Sequence, residues 1–92
     1  MQTTRAETIA VAALGWLAAE EDRLGAFLAA SGAGVAELRA RAADPEFLGF
    51  VLDHILSDEA ALLAFAAEER IPPGDVMAAR HALPGGAEPA WT

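Results

Sequence analysis

The 92-residue sequence predicts an all-α fold, a compact six-helix domain. Three observations predict it. Helix-starting residues (Thr, Asp, Ser, Pro) and helix-stopping residues (Gly, Pro-Pro) alternate from one end of the chain to the other. No stretch combines period-two alternation with rich β-branching, so no sheet is expected. Hydrophobic residues make up 54% of the chain, and much of that is alanine, the best helix former.

The first helix is expected over residues 5–20. Thr4 and Glu7 have the spacing of a capping box ahead of the apolar run "TIAVAALGWLAA". That run is apolar all round, which reads as a helix buried on most sides. Asp22 can cap a second helix over 23–30, stopped by Gly32. Gly34 precedes a third over 35–43. Asp44 followed by Pro45 is a cap with proline at the first helical position, opening a fourth helix to about Leu56. Ser57-Asp58-Glu59 caps a fifth to about Arg70, its acids placed well for the helix dipole. Pro72-Pro73 breaks the chain, and a sixth helix is expected over 74–83. Residues 1–83 read as a single helical domain and 84–92 as a flexible tail. Alanine buries little area. The core is therefore expected to rest on larger side chains, Phe27, Phe47, Phe50, Leu63 and Phe65 among them.

Six helices invite a search for an internal repeat. Phe27 and Phe65 lie 38 residues apart. The same shift places Leu14 on Leu52, Glu21 on Glu59, Leu24 on Leu62 and Trp16 on His54. The reading is a tandem duplication of a three-helix unit, residues 6–43 and 44–83, packed about a pseudo-two-fold axis.

The segments "WLAAEEDRLGAFLAASG" and "LRARAADPEFLGFVLDHILSDEAALLAF" and the closing "LPGG" resemble the small bacterial proteins grouped as domain of unknown function 3572. The resemblance covers nearly the whole chain. It implies no activity, and it carries over no catalytic residues.

Composition excludes more than it identifies. The formal net charge is −8, and all six basic residues are arginine. Such a surface repels nucleic acid and anionic lipid. With no cysteine there is no disulfide framework, no thiolate zinc site and no Cys nucleophile. That usage suits the cytoplasm, and the lysine-free, alanine-rich composition hints at a GC-rich bacterial genome. The apolar run of residues 8–19 is shorter than the ~20 residues a membrane span needs, and a signal peptide wants a positive start and a stronger apolar run, whereas Glu7 sits among the first residues here and the run is mostly alanine. No membrane association is expected.

The stretch "LLAFAAEERIPPGDV" has the outline of a helix-turn-helix, with Ala66, Arg70, Ile71 and Val76 at its key places. The first unit offers Leu28, Gly32, Ala33 and Leu38. A reading helix needs Arg, Lys, Asn or Gln at its exposed start. Here Asp75 and Glu37 stand at the two starts, and only Arg39 and Arg41 of the third helix could meet a phosphate. Asp53, His54 and Asp58 suggest a metal site weakly, because Ser57 ends a helix between two of them and zinc wants three or four convergent ligands. Ser31 and Ser57 are the only serines, and Ser57 reads as a cap. No catalytic, cofactor-binding or metal-binding residue is assigned, and no cofactor is expected. Trp16 reads as core. Trp91, in the tail, reads as a possible contact for a partner or for a second copy.

The function expected is therefore non-enzymatic: a small protein–protein interaction domain, adaptor or regulator, meeting an unidentified protein or itself. The alternative is a helix-turn-helix regulator associated with nucleic acid through Arg39 and Arg41.

Overall fold

The computed structural model describes residues 1–84, and Trp91 lies outside them. Six helices follow in order: α1 Thr3–Ala18, α2 Glu21–Ser31, α3 Val35–Arg41, α4 Pro45–Leu56, α5 Glu59–Glu69 and α6 Pro73–Ala82. All six expected helices form, and among the described residues no strand does.

The ends show which local signals held. Asp44 caps α4 by accepting the Glu46 N–H at 3.0 Å, with Pro45 in the first turn. Asp58 caps α5 by accepting from Ala60 and Ala61. Glu37 reaches back to the Gly34 N–H at 3.0 Å, fixing the start of α3. The Thr4–Glu7 capping box does not form. The helix starts earlier, at Thr3, where Gln2 accepts the Ala6 N–H, so Thr4 is already inside it and accepts from the Thr8 hydroxyl instead. Asp22 likewise sits within the first turn of α2, whose cap is Glu20. Ser57 closes α4, its hydroxyl donating to the His54 carbonyl, and does not open α5.

α2 and α5 both end on a left-handed residue. Gly32 takes φ 72° at no steric cost, and its N–H returns to Leu28. Arg70 takes φ 57°, with Arg70 and Ile71 N–H groups returning to Ala67 and Ala66, a Schellman motif built on an arginine. Pro72 and Pro73 then forbid any continuation of α5, and Ile71 packs against the core.

α1, α4 and α6 form the centre, each packed on the other two, while α2 lies on α1 and α5 lies on α4. α3 touches the other helices only sparsely. The stripe Ala6, Ile9, Ala10, Ala13, Trp16 and Leu17 buries one face of α1. Alanines therefore carry part of the core, against expectation: they let the helix backbones approach closely where a larger side chain would hold them apart. Phe27 and Phe65 are fully buried. Phe50 and Leu63, expected in the core, are 37% and 51% exposed, because α4 and α5 turn those faces outward.

Moved by 38 residues, α2 lands on α5 at both ends, the start of α3 on the start of α6, and the end of α1 on the end of α4. Gly32 lands on Arg70, so the two left-handed caps coincide. The aromatic contacts cross in the same relation. Trp16 meets Phe65 edge-on at 5.8 Å, and His54 meets Phe27 edge-on at 5.1 Å. The shift exchanges the members of one pair for those of the other.

Candidate functional site

α1 carries a second apolar stripe opposite its buried one. Val11, Leu14, Gly15 and Ala18 follow the i, i+3, i+4, i+7 spacing that lines one helix face. The expected burial on most sides is thus half met: one stripe enters the core and the other does not. With Leu24 of α2 and Val35, Leu38, Arg39 and Ala42 of α3, the second stripe lines an open groove of about 350 Å³. Val11 and Val35 are 48% and 51% exposed there. Arg39 is the one charged residue in the lining.

The 38-residue shift lays α1 and α3 on α4 and α6, and α4 and α6 pack closely where α1 and α3 touch only sparsely. In the second unit, Arg80 of α6 is 5% exposed and grips Asp53 of α4 with two bonds, Nε to Oδ1 at 2.6 Å and Nη2 to Oδ2 at 3.1 Å. Its Nη1 donates to the carbonyls of Leu83 and Pro84, pinning the chain that follows α6. Gly49 makes the room: a Cβ there would lie 2.7 Å from Nη1. The bidentate pair draws α6 onto α4. Shifted by 38 residues, Gly49, Asp53 and Arg80 correspond to Val11, Gly15 and Ala42. These offer no ion pair and no side-chain donor. Sequence reading weighed Asp53 only as a weak metal ligand and passed over Arg80. The signal present was a helical Gly-x-x-x-Asp with one arginine on a later helix, too slight to single out.

Arg39 and Arg41 stand two positions apart on α3 and therefore face different ways. Arg39 lines the groove. Arg41 lines a more polar recess of about 290 Å³ with Ser31, Asp44 and Phe50, its guanidinium 5.6 Å from the Phe47 ring. The structure does not bring them together. Asp75 lies 3.8 Å from Arg5 on the surface. Val76, Ala79 and Arg80 of α6 are buried, while Met77 on the same helix is 51% exposed. Trp16 is core, with Arg23 stacked 3.8 Å over its ring. His54 packs on Phe27 and faces no cluster of metal-ligating side chains among the described residues.

The model of the family described as Protein of unknown function (DUF3572) matches residues 3–86. The chain belongs to that family. The match begins with α1 and runs past α6, so the six-helix domain described above, groove and Arg80 clamp included, falls within the span of this DUF3572 protein that the family covers. No curated protein and no solved structure matches the chain. No helix among the described residues is long and apolar enough to cross a membrane.

Proposed function

We propose that this DUF3572 protein is a non-catalytic protein–protein interaction domain, an adaptor or regulator, which takes its partner in the α1–α3 groove. The observation that carries the reading is the second apolar stripe of α1. Exposed apolar residues gathered on one open face, rather than scattered singly, support an interaction surface, and grooves between helices receive partner helices. The composition, free of cysteine and strongly anionic, fits a cytoplasmic location. We also infer that the two three-helix units arose by tandem duplication. The coincident helix ends and the crossed aromatic pairs support this. On that reading the second unit became the closed half and the first unit the binding half.

Capture from native lysate tests the interaction. A partner retained by the wild-type chain and lost by a folded Val35→Glu variant is the expected outcome. Retention by both chains would remove the groove from the reading. The competing nucleic-acid reading predicts micromolar, salt-sensitive binding to random duplex that Arg39→Ala with Arg41→Ala abolishes. We expect no such binding even near ~50 mM salt, where electrostatic association is strong, because the net charge is −8 and the two arginines diverge.

A further inference from the structure

We propose that α3 is a flap on a body made of the other five helices. It undocks by local opening while α1, α2 and α4–α6 stay folded, and its position sets whether the α1–α3 groove has its third wall. The motion belongs to the fold and does not depend on what the groove binds. α3 is the shortest of the six helices, with seven residues. A helix of that length does not persist in water on its own, so tertiary packing has to hold it. Leu38, 6% exposed, is its one buried residue, and the other six are exposed. α2 also has a single buried residue, but its hold is broader. Phe27 is fully buried, meets the rings of Phe47, Phe50 and His54, and has Leu24 and Leu28 packed on the core beside it.

The polar ties agree. Among the described residues, the hydrogen bonds of residues 34–42 stay within residues 34–44. Beyond them, the Arg41 guanidinium rests 5.6 Å from the Phe47 ring. Both ends of α3 can turn. Gly32 holds φ 72° and Gly34 is the N-cap, and a Cβ at either would meet nothing within 4 Å. Ala42 and Ala43 make the turn into α4. Opening carries away Val35, Leu38, Arg39 and Ala42 together and leaves the α1 and α2 part of the lining on the body. Burial of one leucine favours the docked state by about 10- to 150-fold. The whole domain favours the folded state by something on the order of ten-thousandfold or more. The flap therefore opens on the order of a hundred times more often than the domain unfolds.

Hydrogen exchange of the full chain, read by nuclear magnetic resonance at urea concentrations below the unfolding transition, tests the flap. Amides of Arg39, Ala40 and Arg41 should be protected about 10- to 150-fold, with little dependence on urea. Amides of Ala13, Leu28, Leu52 and Phe65 should be protected on the order of ten-thousandfold and follow the slope of global unfolding. Leu38→Asp should abolish the protection of α3. The body keeps its own packing, so its amides should then lose no more than the factor α3 had in the wild type. Protection of α3 equal to that of the body, or a loss from the body beyond that factor, would overturn the flap by making α3 part of the global unit. Unprotected α3 amides in the wild type would overturn it by removing the docked state. Exchange of the α2 amides together with those of α3 would overturn the hinge at Gly32 and Gly34, and with it a flap made of α3 alone.

Discussion

Gly49→Ala should destabilise the protein although alanine is the better helix former. The added Cβ would lie 2.7 Å from Arg80 Nη1, 3.0 Å from Cζ and 3.1 Å from the Pro84 carbonyl oxygen. The guanidinium has little freedom to retreat, since Nε and Nη2 hold Asp53 at 2.6 and 3.1 Å. Overpacking of this kind costs about 1–3 kcal/mol. Alanine in place of glycine within a helix returns about 0.5–1 kcal/mol, leaving a net loss of roughly 0.5–2 kcal/mol. Gly25 supplies the matched control, for a Cβ there meets nothing within 4 Å. Gly25→Ala should therefore stabilise by about 0.5–1 kcal/mol. For a domain of this size each kcal/mol moves the melting temperature by about 4–8 °C. Thermal melts followed by circular dichroism should place Gly49→Ala well below wild type and Gly25→Ala above it. If Gly49→Ala melts with Gly25→Ala, Arg80 is not clamped over Gly49, and the reason given for the closed second unit fails.

Phe65→Ala empties a fully buried site against Trp16 and should cost about 3–5 kcal/mol, comparable to the whole stability of a small domain; denaturant unfolding within a few tenths of wild type would contradict its core role. Asp53→Ala should cost more than Arg80→Met. The first leaves a buried guanidinium with only the Leu83 and Pro84 carbonyls, a loss of about 1–3 kcal/mol, while the second leaves a carboxylate that is 47% exposed and stays hydrated. Equal losses in urea titrations would mean that the pair is not buried from the arginine side. Arg70→Gly should stabilise by about 0.5–1 kcal/mol, since it relieves a left-handed residue of its Cβ strain and gives back part of that in unfolded-chain entropy; a lower melting temperature would place the stability of that turn in the arginine side chain.

The helices were legible because their signals are local. Asp44-Pro45, Asp58, Gly32 and the proline pair each act within a turn of their own position, and each acts as expected. The Thr4 box failed because a helix end is chosen among neighbouring candidates a fraction of a kcal/mol apart, and Gln2 won. The internal correspondence of 38 residues could also be seen in the sequence, since it needs only side-chain types in register. The site was harder to see. That α1 is apolar all round is written in "TIAVAALGWLAA", but which stripe stays outside depends on where α3 sits. That in turn depends on Leu38 packing into a core drawn from distant parts of the chain. Arg39 and Arg41 look like a pair in the chain and part in space because a helix turns by about 100° per residue.

Photo-crosslinking in the native cell asks most directly whether the α1–α3 face is where this DUF3572 protein meets its partner. A photoreactive phenylalanine is placed at Val35, which is 51% exposed in the groove, and separately at Leu63, which is 51% exposed on α5 away from it. The groove reading predicts a discrete crosslinked product from position 35, lost on adding Val11→Glu, and none from position 63. Discrete product from position 63 alone, or the same products from both positions, would contradict it.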